Sequence, residues 1–95
     1  MTMAQDKRAA RLFRKVAKEL IKYSADEETY GEEADMYTGD AQDYKKLAAK
    51  CDVHDRDGAI DMYDKLDTAS RDHFFDFLTD IQAEWLDSYL DWDNE

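Results

Sequence analysis

ASRDHFFDFLTDIQAEWLDSYLDW, residues 69–92, decides the fold, because two patterns of helical period run through it together. Phe74, Phe75, Leu78, Ile81, Trp85, Leu86, Tyr89 and Trp92 return every three or four residues, with Phe77 and Leu90 at the margins. They predict the apolar face of one amphipathic helix from about Ala69 to Trp92. Asp72, Asp76, Asp80, Glu84, Asp87 and Asp91 recur with the same period almost opposite. At 3.6 residues per turn and about 1.5 Å per residue, these carboxylates occupy one arc and climb it in steps of roughly 4.5 to 6 Å. No lysine or arginine follows Asp72.

That ladder works against its own helix. Like charges at 72/76, 76/80, 80/84, 84/87 and 87/91 each cost about 0.2 to 0.5 kcal/mol at low salt, or ~1 to 2.5 kcal/mol together. All but Glu84 are Asp, a poorer helix former than Glu, and the last of them stand at the helix end that prefers cations. Solubility is met by mixing both signs. The arrangement therefore points to an electropositive partner, with the core stripe behind it holding the charges in a fixed pattern.

Outward from this segment, the 95 residues have a net charge of -11, are 43% hydrophobic and 13% aromatic, and include no proline and three glycines. Apolar content of that order supports a folded chain, and the scarcity of breakers with long 3.6-residue patterns predicts an all-α fold. The expectation is a single helical domain over 1–95: a compact bundle of four or five helices with a long amphipathic C-terminal helix. Residues 4–23 form the clearest second helix, with Leu12, Phe13, Val16, Ala17, Leu20 and Ile21 inward and Arg11, Arg14, Lys15, Lys18 and Lys22 outward. Gly31 and Gly39 break residues 24–39 into short pieces capped by Ser24 or Asp26. Asp40 then caps a helix running to about Cys51, buried through Tyr44, Leu47, Ala48 and Cys51. Asp52 to Gly58 reads as a loop, with a short helix after it through Ile60, Met62, Tyr63 and Leu66.

Charge is unevenly spread: residues 1–23 carry net +5 and residues 24–95 carry net -16. Overall acidity disfavours direct contact with nucleic acid or an anionic membrane and favours a basic partner. The basic first helix packed beside the acidic ones would relieve part of their repulsion. Its cations Arg11, Lys15, Lys18 and Lys22 also suggest a rival role, binding nucleic acid or an acidic partner directly. A single Cys51 and the absence of an apolar N-terminal stretch suit a cytoplasmic protein, either monomer or homodimer.

Chemistry-bearing constellations are few. Val53 to Asp64 matches a twelve-residue calcium loop at Asp55, Asp57, Gly58 and Asp61, with Ile60 at the eighth position. It lacks an oxygen at the first position and has Asp64 where a bidentate Glu belongs. The plainer reading is a polar loop with Gly58 at the turn and Asp57 as helix cap. Asp55, Asp57, Asp61 and Asp64 are thus weak metal candidates, and no cofactor is called for. Three serines, one cysteine and two histidines stand in no catalytic order, so an enzyme is not expected. Tyr23, Tyr30, Tyr37 and Tyr44 recur at sevens, and Tyr30, Met36 and Tyr37 amid acids suggest a contact patch for a structural or regulatory partner.

The carboxylates suggest nucleic-acid mimicry: rigid helices presenting Asp and Glu compete for the lysines and arginines of a phosphate-binding groove. Asp61 and Asp64 would extend the surface of Asp72, Asp76, Asp80, Glu84, Asp87 and Asp91. A merely solvated face, or a halophile's acidic coat, is the plain alternative. In size, in the layout of Asp72 to Asp91 and in an aromatic-rich end at Trp92-Asp93-Asn94-Glu95, the chain resembles the small acidic proteins that phages make against restriction and CRISPR enzymes. The resemblance implies a non-catalytic inhibitor, of anti-CRISPR or anti-restriction type, acting in the host cytoplasm on a basic nucleic-acid-binding protein or complex.

Overall fold

The inward stripe of the first helix sets the architecture, because Leu12, Phe13, Val16, Ala17 and Leu20 are all buried. A computed structural model describes residues 3–25, 33–66, 70–71 and 76–90, without the side chains of Tyr23 and residues 33–36. Helix α1 spans Met3–Ser24, α2 Glu33–Asp52, α3 Arg56–Lys65 and α4 Asp80–Leu90, and there is no strand among the described residues. The two long helices run antiparallel and pack chiefly on each other, with Phe13 and Tyr44 in ring contact at 6.0 Å. Helices α3 and α4 close against this pair, and one core joins all four. The radius of gyration is 13.2 Å, near the ~13 Å of a globular chain of 100 residues.

Helix α2 does not begin at Asp40 as the capping pattern suggests, but runs from Glu33 through Gly39 and Asp40. Asp40 is buried and accepts a hydrogen bond from the Ser70 hydroxyl at 2.7 Å, so its side chain serves a tertiary contact instead of a cap. Gly39 is exposed, with open space where a Cβ would point. A glycine there costs about 1 kcal/mol of helix propensity. Burial of Ala41, Tyr44, Leu47, Ala48 and Cys51 on the same helix outweighs it.

The connection from α2 to α3 is three residues long, shorter than the loop expected over Asp52 to Gly58. Asp55 N–H donates to the Lys50 carbonyl at 2.8 Å and His54 N–H to the Cys51 carbonyl at 3.0 Å. These bonds form a Schellman ending, with His54 at φ 60° in the left-handed position usually held by glycine. Asp55, and not Asp57, caps α3: its Oδ1 accepts from Gly58 N–H at 3.0 Å. A Cβ on Gly58 would meet Asp55 Oδ2 at 2.2 Å, so the cap and the glycine work as one device. Of the weak calcium-loop candidates, Asp57, Asp61 and Asp64 lie along helix α3 and Asp55 caps it. Among the described residues no three His, Cys, Asp or Glu side chains are grouped to hold a metal.

The continuous helix expected from about Ala69 to Trp92 is interrupted. The backbone is helical at 76–77, bends at Leu78, leaves the helix at Thr79 and restarts at Asp80. Thr79 and Gln82 form a reciprocal capping box: Gln82 N–H donates to Thr79 Oγ1 at 3.2 Å, and Thr79 N–H to Gln82 Oε1 at 3.1 Å. The break resets the phase of the apolar face. Ala83, Leu86, Tyr89 and Leu90 are buried, Trp85 and Phe77 are half-buried, and Leu78 is buried beside the bend. Ile81, expected in the core, is 74% exposed. Phe74, Phe75 and Trp92 lie outside the described residues.

Candidate acidic interface

On α4 the exposed side carries Asp80, Glu84 and Asp87, about 6 and 4.5 Å apart along the axis, with Ile81 and Ser88 at its edge. Asp76 is exposed too, but it precedes the bend, so the ladder is split between two segments. None of Asp76, Asp80, Glu84 and Asp87 has an ion-pair partner among the described residues. Asp72 and Asp91, the ends of the expected ladder, lie outside the described residues. Asp61 and Asp64 are exposed on α3, where Asp61 pairs with Lys65 at 2.9 Å.

Among the described residues the basic helix makes no ion pair with this ladder. Arg14 makes a two-pronged contact with Asp52, Lys15 donates to Gln82 Oε1 at 3.2 Å, and Lys22 pairs with Glu19. Arg8 lies over the Trp85 ring, 4.4 Å from its centroid. Arg14 thus fastens α1 to α2, Arg8 and Lys15 fasten it to aromatic and polar side chains of α4, and no α1 cation forms an ion pair with the acidic arc among the described residues. The Arg14 guanidinium holds the Asp52 carboxyl below its ordinary range, and the same bond raises Arg14.

A junction that no sequence pattern announced fixes α4 in place. Arg56, at the start of α3, is buried and donates from Nε to the Tyr89 carbonyl at 2.9 Å, and from a terminal nitrogen to the same oxygen. Its guanidinium also covers the Tyr89 ring at 4.6 Å, satisfying a carbonyl in the last turn of α4 with a cation that the helix dipole favours. The Tyr89 hydroxyl donates to buried Asp6 Oδ1 at 2.6 Å, and His54 Nδ1–H reaches Asp6 Oδ2 at 3.0 Å. Cys51 Sγ lies 3.6 Å from the Tyr89 hydroxyl. Burial pushes the Cys51 thiol up to about 11 and also raises Tyr89, to which Asp6 adds as hydrogen-bond acceptor. Cys51 is therefore a neutral core thiol at physiological pH, unsuited to nucleophilic chemistry. Only the apolar positions of this junction were signalled by periodicity; Asp6, His54 and Arg56 come from three separate stretches of chain.

Of the expected Tyr/Met patch, only the Tyr37 side chain lies within the described residues. Tyr37 is half-buried against the core, Tyr30 lies outside the described residues, and the Met36 side chain does as well. No protein-family model, curated protein or solved structure matches the chain. No helix among the described residues is long and apolar enough to cross a membrane.

Proposed function

We propose that the protein acts by binding, as a stoichiometric inhibitor that covers an electropositive, nucleic-acid-binding surface of another protein in the cytoplasm. One observation carries this reading: Asp80, Glu84 and Asp87 share an exposed face of a helix whose other face is locked into the core, and no cation in the described structure neutralises them. Duplex DNA places one charge per ~1.7 Å of axis, so about 10 Å of α4 offers roughly half the charges of the duplex it would replace. Asp76, Asp61 and Asp64 supply further charge on neighbouring segments. Ile81 gives the acidic face an aliphatic anchor, which adds contact area that a purely coulombic surface lacks.

The test is capture from a host lysate on immobilised protein. Nucleic-acid-binding proteins are retained, duplex DNA or high salt releases them, and the variant with Asp76, Asp80, Glu84 and Asp87 changed to Lys retains none while keeping its helical content. Retention by that variant, or capture that neither DNA nor salt releases, refutes the proposal.

A further inference from the structure

A groove of about 520 Å³ lies along the α1–α2 seam, lined by Arg14, Ala17, Lys18, Ile21 and Lys45. Ala17 is buried in it, whereas Ile21 is 40% exposed despite standing in the apolar stripe of α1. Lys18 and Lys45 are exposed and have no carboxylate partner among the described residues; Arg14 shares its charge with Asp52. A part-apolar cationic groove on a chain of net charge -11 is a local reversal of the molecule's sign.

Its chemical complement is a short acidic helix bearing one aliphatic side chain. Helix α4 presents that set in Asp80, Glu84 and Asp87, which have no ion-pair partner among the described residues, beside exposed Ile81. Within one molecule the two faces are kept apart. Arg8 and Lys15, which meet Trp85 and Gln82 of α4, stand roughly 120° around α1 from the groove. We propose that the groove receives the exposed face of α4 from a second copy of this chain, with Ile81 against Ala17 and Ile21, and Lys18 and Lys45 among Asp80, Glu84 and Asp87. The proposal rests on the α4 face being the binding surface described above and gives it a second role. Self-association occupies the ladder until a basic partner competes for it.

Two copies of like net charge repel, but at about 0.15 M ionic strength that repulsion is screened beyond ~8 Å, leaving the contact surfaces to decide. An extended polyanion is a poorer occupant, because the rest of the chain repels it and two free lysines release few counterions. The two faces are different surfaces, so charge reversal on one is complementary to reversal on the other.

The experiment uses the purified full chain in sedimentation equilibrium at near-physiological salt, from about 10 μM to 1 mM. The wild type self-associates across that range. Lys18→Glu/Lys45→Glu and Asp80→Lys/Glu84→Lys each weaken self-association by roughly tenfold or more. Mixed together, these two variants form a 1:1 complex, and the protein carrying all four changes associates with itself again. That cross-rescue separates lost contact from lost fold. A wild type that stays monomeric throughout, leaving the groove to a foreign acidic segment, overturns the proposal, as does a mixture that shows no hetero-complex. The capture experiment requires no self-association, so the two readings fail independently.

Discussion

The α1–α2 pair and α4 are built from similar amphipathic sequence but handle charge in opposite ways. Across the α1–α2 seam Arg14 meets Asp52, and beneath it Phe13, Leu20, Tyr44 and Leu47 are sealed from solvent. Along α4 the acids of the outer face have no ion-pair partner among the described residues, and an isoleucine stands exposed beside them. The long pair carries the fold by burial. The short helix is held by a capping box at its start and by Arg56 and Asp6 near its end, which leaves its outer face available for contacts. A surface that tolerates like-charge strain while anchored this firmly is suited to presenting a charge pattern.

The contrast breaks most severely at its apolar side. Phe13→Ala removes a fully buried ring from the α1–α2 seam and should destabilise the protein by about 3 to 5 kcal/mol. That is a large share of the ~5 to 15 kcal/mol expected of a small domain, and denaturant unfolding measures it.

Tyr89→Phe probes the anchoring of α4 and removes the donor to buried Asp6 Oδ1, leaving His54 on Oδ2, at a cost of about 1 to 3 kcal/mol. If the junction holds α4 specifically, hydrogen exchange in α4 accelerates more than in α1. Equal acceleration throughout would show that the junction stabilises the whole bundle and α4 no more than the rest.

Alkaline pH tests the same junction without mutation. Cys51 and Tyr89 both have raised pKa values in the fold, so their contribution is complete below the ordinary thiol value of about 9. Above it the unfolded chain ionises while the folded groups stay protonated, and stability falls as pH rises. The denaturation midpoint is accordingly lower at pH 10.5 than at pH 8, and Cys51→Ala removes part of that difference. The smallest effect belongs to α2. Gly39→Ala, at an exposed helical site with open space for a Cβ, should stabilise by about 0.5 to 1 kcal/mol in thermal or denaturant unfolding.

The helical class and the stripe of α1 were legible because burial enforces a 3.6-residue period, and Leu12, Phe13, Val16, Ala17 and Leu20 follow it closely. Tyr44, Leu47, Ala48 and Cys51 were legible on α2 for the same reason. Its start was not, since Asp40 has the chemistry of a cap yet is drawn into a bond with Ser70, 30 positions away. Thr79 and Gln82 have the spacing of a capping box, a local signal masked by the longer apolar period running through it. Ile81 was misplaced because that period was carried across the break. In the acidic face, Asp76, Asp80, Glu84 and Asp87 are exposed as expected, but they span two segments instead of one helix.

By itself, then, the sequence determined a helical chain with an apolar stripe along each long helix and a surplus of carboxylates toward its end, because period and composition are local properties. Tertiary structure alone decided that Arg56, Tyr89, Asp6 and His54 converge to hold α4, and that Lys18, Lys45 and Ile21 line a groove on another flank of α1. Each of those outcomes depends on which residues distant in sequence compete for the same buried space or the same hydrogen bond, and a one-dimensional pattern contains no such term.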